Sequence, residues 1–338
     1  MRRRFFVPIL LLFLVLLCSS ASASIIKDFT FTPRDHAVDL EFSAAGYDSV
    51  VVSYTNSFEK GKVSLRASDG HYTCTLKLPK TYPGNNVAVT IKSNRGKELL
   101  KKTYVQTAME DIPVVEQSPT GRLVGVTVCV DPGHQGVELY AKEPMGPGLS
   151  GYHKTSNGQA QGVATRRYES VVVLEVGKKL RNALLQEGAT VVMTREDQET
   201  PVKNVRRAEI ANESGSHVFI RLHCDNSGNK KARGIFVYIP LSSTYAKAVA
   251  DKDTYHEYGE ILLKAMQKAT GVTKGTVRQN NSYVASNWAT MPTFLIEMGF
   301  MSNEEDDILV STPDFQEKII AGMIDGIEEI CRMRGVIE

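Results

Sequence analysis

Four side chains in this sequence could work together on an amide: His134, Glu169, His223 and Glu297. His134 closes Asp131-Pro132-Gly133-His134, where Pro and Gly force the chain off a strand and leave the imidazole at its exit. His223 ends a second apolar run, Val218-Phe219-Ile220-Arg221-Leu222-His223. Glu169 heads a helical stripe of Val172, Val173, Val176, Leu180, Ala183 and Leu184, so its carboxylate enters a face that must pack, and burial there calls for a cation or metal partner. Taken singly, each has a plain structural reading. A histidine in a turn can be structural, and Glu169 can be a first-turn acid favoured by the helix dipole, with Arg166 or Arg167 beside it. Together, two neutral imidazoles and one carboxylate give a zinc ion three ligands and leave a fourth position for water, the arrangement of hydrolytic zinc. The same trio suits non-haem iron, but no oxygenase feature accompanies it and the export signal described below favours zinc. Glu297, within the apolar run Phe294–Phe300, stands where a general base would take the proton of a metal-acidified water.

The elements that must carry these residues fall in residues 124–338, where short apolar strands alternate with helices. Val124–Val130, Thr190–Thr194, His217–His223, Gly234–Ile239 and Thr293–Met298 read as strands. Glu169–Glu187, Val205–Glu213, Tyr245–Thr270 and Asp314–Met333 read as helices. The order predicts an α/β domain, a mostly parallel or mixed sheet with helices on both faces. Ligands of such sheets gather outside the carboxyl ends of the strands, the edge to which His134 and His223 are delivered. Residues 24–108 are different: runs of period two, broken by Ser68-Asp69-Gly70, Pro83-Gly84-Asn85 and Ser93-Asn94-Arg95-Gly96, predict a small all-β sandwich. Residues 109–123 read as a linker.

At the amino end, Arg2, Arg3 and Arg4 precede an apolar run from Phe5 to Leu17, with Ala21-Ser22-Ala23 as a small-x-small site. Residues 1–23 therefore read as a signal peptide, too short to span a bilayer comfortably, and no later segment looks able to cross a membrane. Without the three arginines the chain holds 37 basic and 38 acidic residues, a balance that excludes a general polyanion binder and makes nucleic acid an unexpected partner. The basic excess of residues 24–108 (12 against 8) suits either an anionic envelope ligand or a solvated strand face. Cys74, Cys129, Cys224 and Cys331 are widely spaced with no C-x-x-C, and read as free thiols. Cys224 lacks an obvious base and, as the neighbour of His223 on a strand, should face away from it.

From about residue 124 the chain resembles the zinc-dependent N-acetylmuramoyl-L-alanine amidases (family 3 type) of bacterial peptidoglycan. The resemblance is carried by Val130-Asp131-Pro132-Gly133-His134, Glu169 with Leu174, Val192-Met193-Thr194-Arg195, Arg207-Ala208 with Ala211-Asn212, Ile220–His223, and Leu295–Asn303 with Glu297 inside it. It implies one Zn2+ held by His134, Glu169 and His223, Glu297 as the catalytic carboxylate, and hydrolysis of the amide between the lactyl group of N-acetylmuramic acid and L-alanine. Peptidoglycan would be the partner of a secreted or wall-located autolysin, with a monomer expected. The chain departs from the family pattern at Asp225 and Val173, where asparagines are common. Asp225, Asn226, Asn287 and Trp288 are candidate substrate contacts, the Gly- and Ser-rich insert 137–165 a candidate groove wall, and Arg195 and Arg207 structural pairing groups. The rival readings are a zinc peptidase of stem peptides, since three ligands and a base suit any amide, and a non-catalytic wall-binding protein.

Overall fold

The computed structural model describes residues 26–338 apart from 35–36, 56–59, 69, 78–85, 106–111, 138 and 156–157. The expected signal peptide lies outside the described residues. Seven strands come first: β1 (Ile26–Arg34), β2 (Ala37–Ala44), β3 (Ser49–Thr55), β4 (Lys60–Arg66), β5 (His71–Lys77), β6 (Asn86–Ser93) and β7 (Glu98–Val105). They form two antiparallel sheets, β1-β2-β5 and β4-β3-β6-β7, sharing a core of Val38, Leu40, Phe42, Val52, Tyr72, Val89 and Ile91. β1, β4 and β7 are sheet edges, and in β4 no residue is fully buried, every second one being only partly covered.

The remaining elements are β8 (Thr127–Pro132), β9 (Ala141–Pro144), β10 (Tyr152–Thr155), α1 (Glu169–Gln186), β11 (Thr190–Met193), α2 (Asn204–Glu213), β12 (Val218–Asp225), β13 (Phe236–Ile239), α3 (Thr244–Val249), α4 (Lys252–Thr270), β14 (Val277–Gln279), α5 (Val284–Trp288), β15 (Thr293–Phe300), α6 (Glu304–Val310) and α7 (Pro313–Met333). Six of the strands make a mixed sheet in the order β11-β8-β12-β15-β13-β14, with β11, β8, β12 and β15 parallel and β13 antiparallel to β15. Strand parity sorts the side chains. Val128, Val130, Ile220, Leu222, Phe294 and Ile296 point into a large core under α1, α4 and α7. Cys129 and Phe219 point to the other face, where Ala208 and Ala211 of α2, Ala285 of α5 and Ala289 just after it let both helices sit close. Asp131, Arg221, His223, Leu295 and Glu297 share the parity of that second face.

Three expectations change. The helix expected over 245–270 is two helices, because Ala250 is extended and the Asp251 carboxylate accepts from Asp253 N–H and Thr254 N–H to start α4. The insert 137–165 is not a bare loop but carries the β9–β10 hairpin. From Ile112 onward the expected linker lies along α1: Arg181 and Asn182 donate to the carbonyls of Ile112 and Pro113, and Ser118 N–H to that of Leu185. The cysteines described are free, as expected. Among the described residues no helix is long and apolar enough to cross a membrane.

Candidate metal centre and its cavity

His134, Glu169 and His223 meet above the carboxyl ends of β8 and β12. His134 Nε2 lies 3.2 Å from Glu169 Oε2 and His223 Nδ1 3.0 Å from Glu169 Oε1, and one ligand atom from each residue falls within 4.8 Å of the others. The rings stand edge to face, 5.0 Å apart. Glu169 is fixed by more than the imidazoles, since its carboxylate also accepts from the backbone N–H of Ala160 (3.0 Å) and of Cys224 (3.1 Å). Burial opposes its ionisation, but His134, and then His223, outweigh that and hold the carboxyl well below its usual range. Burial also pulls the His223 imidazole down to about 4, so it is neutral and able to give a lone pair near pH 7.

Glu297 is placed by register. On parallel neighbours β12 and β15 it pairs with His223, so its carboxyl overhangs the trio from the same side of the sheet. Among the described residues, its Oε2 is buried without a hydrogen-bond partner. Desolvation, with the nearby Glu169 and Asp225, pushes this carboxyl well above the usual range. A nitrogen–nitrogen–carboxylate set with a partnerless buried acid beside it suits a divalent ion such as zinc: the donors are of the right type, three in number, and need an external charge to balance two carboxylates.

The turn that delivers His134 is held at every carbonyl. Arg195 donates to Pro132 O (2.8 Å) and Gly133 O (2.8 Å), Arg207 to Pro132 O (2.9 Å) and His134 O (2.8 Å), and Gly133 N–H to Leu222 O. This confirms structural pairing for both arginines. His134 adopts a left-handed backbone (φ 54°), a conformation costing on the order of 1 kcal/mol that persists only when its surroundings fix it. Gly133 is needed because any Cβ there would overlap the His223 ring.

Beneath the trio lies a fully buried cluster that the sequence reading did not recognise. Asp131, in register with Arg221, accepts from Arg207 (2.5 Å), Arg221 (2.9 Å) and Thr194 (2.5 Å). Burial opposes its charge, but the two guanidinium groups prevail and keep it ionised. An arginine in the middle of an otherwise apolar strand was the available signal.

A cavity of about 380 Å³ opens over these groups. The hairpin contributes His153 and Thr155 to its wall, and Asp225 and Asn226 also line it. Asn287 and Trp288 do not. Asn287 is fully buried and spends its amide on Met145 O and Asn281 O, while the Trp288 indole donates to Pro144 O and packs edge-on to Tyr245. Both clamp the back of the hairpin. Glu143 of β9 completes the attachment: buried, it accepts from Thr155 Oγ1, Asn204 N–H and Val205 N–H, capping α2, whose own Lys203 supplies no side-chain cap. Cys224 lies in the main core with its thiol raised by burial, no nucleophile.

Fold and site together are those of an α/β domain with three side chains placed so that they could hold a metal ion. Residues 128–329, more than half of the chain, match the family described as N-acetylmuramoyl-L-alanine amidase, and the chain belongs to that family. Its relatives include the probable cell wall amidase LytH of Staphylococcus epidermidis, 24% identical over 219 residues, a match spanning 65% of this chain and 63% of LytH. The germination-specific N-acetylmuramoyl-L-alanine amidase of Bacillus subtilis is 27% identical over 61% of this chain and 79% of its own. The fold recurs in the amidase Ami1 of Mycobacterium smegmatis, with a TM-score of 0.55 and 20% identity over 62% of this chain and 99% of that one.

Proposed function

We propose that this chain is an exported zinc hydrolase that cuts the amide between N-acetylmuramic acid and L-alanine in bacterial peptidoglycan. The observation that carries the reading is the in-register pairing of His223 with Glu297, which sets an unpartnered carboxyl over the His134–Glu169–His223 trio at the mouth of an open cavity. A zinc ion held by the trio would polarise the scissile carbonyl and make a water acidic. Glu297 would take the attacking water's proton and return it to the departing alanine nitrogen; its raised affinity for protons suits both halves of the transfer. Arg195 and Arg207 keep the His134 turn in place while this happens, and the β9–β10 hairpin shields one side of the cavity from solvent.

Digestion of purified peptidoglycan with metal-free, zinc-restored and Glu297→Ala protein tests the reading. The expected result is new alanine N-termini on intact sugar chains, produced only by the zinc-restored native protein. Release of single D-alanine would point instead to a peptidase. Wall binding that survives chelation, with no new N-termini, would leave a binding protein.

A further inference from the structure

We propose that Arg221 binds a carboxylate of the substrate, carried by the stem peptide beyond the scissile amide. This rests on the reading above and deepens it. Phe219, Arg221, His223 and Asp225 project from one face of β12, so Arg221 stands two residues, roughly 7 Å, behind the ligand His223 and lines the same cavity. Only 3% of Arg221 is exposed. Its Nε is spent on Asp131 Oδ2 (2.9 Å) and its Nη1 on Ser286 Oγ (3.2 Å). Among the described residues Nη2 has no hydrogen-bond partner, and it is not sealed in the interior with the orphaned buried atoms.

The charge count points the same way. Asp131 alone serves both Arg207 and Arg221, so the three together retain one positive charge. Arg207 cannot present it, because its nitrogens are engaged by Val202 O, Asp131, Pro132 O, His134 O and Gln135 Oε1. Arg221 forms no ion pair with Glu297 within the described residues. The cavity is thus polarised, with Glu169, Glu297 and Asp225 around its metal end and an open guanidinium N–H at its floor. A nearly buried cation with a free donor is most stable when an anion completes it. N-acetylated sugars offer that donor no charge, whereas the residue after L-alanine in a stem peptide is an acid or its amide.

The test uses the zinc-loaded full chain and two soluble probes, L-alanyl-D-glutamic acid with its γ-carboxyl capped as the methylamide, and the same capped dipeptide with its α-carboxyl amidated as well. Calorimetric titration should show the acid bound roughly tenfold or more tighter than the amide by the native protein, the size of one charge-assisted hydrogen bond. In Arg221→Gln the ratio should fall to about one, and in Arg221→Lys it should lie between, because a point charge cannot bridge Asp131 and a ligand as a planar fork does. On muropeptides with and without that amidation, the same preference should appear in KM. Equal binding of both probes by the native protein, no measurable binding of the acid, or an undiminished ratio in either variant with normal zinc content would each overturn the proposal. The dipeptide titration requires no turnover. A protein that cuts no peptidoglycan but shows this preference and loses it with Arg221 would sink the amidase reading alone, and normal cleavage without the preference would sink this inference alone.

Discussion

Asp131 and Glu297 are both buried carboxyl groups on the same face of the same sheet, separated by β12, yet they end in opposite states. Asp131 lies in register with Arg221 and receives two guanidinium groups and a hydroxyl; Glu297 lies in register with His223 and, among the described residues, its Oε2 receives no hydrogen bond. The first is held ionised and the second is driven toward its protonated form. Burial is common to both, so it is the partners that separate a carboxylate serving as scaffold from one free to move a proton.

The contrast can be broken by experiment. Glu297→Gln should lower turnover by roughly 10²–10⁴-fold, measured as new N-termini, while leaving urea stability unchanged or slightly improved, because it removes an acid that costs free energy to bury. Asp131→Asn should do the reverse to stability, losing about 3–5 kcal/mol of unfolding free energy as two arginines are left undercompensated. Equal urea midpoints for the two variants would show that the partners do not matter. Acid sharpens the same point. In metal-free protein burial holds the folded His223 imidazole down to about 4 against 6.5 when unfolded, so its contribution to stability falls as pH falls between those values, while Glu297, held above its usual range, contributes in the opposite sense. Thermal unfolding of metal-free Glu297→Gln protein, which lacks the opposing carboxyl, should follow the His223 slope, by roughly 1–3 kcal/mol across the window, with further loss at lower pH as Asp131 and Glu169, both held below their ordinary range, are protonated. A flat profile from pH 7 to 4 would contradict it. The smallest effect is expected at Glu143→Gln, about 1 kcal/mol for a weakened cap, seen as faster proteolysis of the hairpin.

The reactive half of this comparison was legible in the sequence and the scaffold half was not. His134, His223 and Glu297 interrupt apolar strands at or near their carboxyl ends, and Glu169 heads a buried stripe, so each is out of place by its own local pattern. Asp131 and Arg221 are equally out of place, but their meaning is pairwise and depends on a register between strands ninety residues apart. The helix break at Ala250 could have been found from Asp251 with Thr254 three residues on. The β9–β10 hairpin could not: its strands are four residues long and hold to the body of the protein through Glu143, Asn287 and Trp288, contacts that no periodicity reveals. That same concealment made Asn287 and Trp288 look like groove residues.

Glu143 welds two things that seem unrelated. It closes the first turn of α2, and Arg207, one turn further along, grips the carbonyl of His134. A cavity-wall strand, a helix and the turn that carries His134 are thereby coupled in series, so a load on the hairpin is passed through three linked contacts to that imidazole.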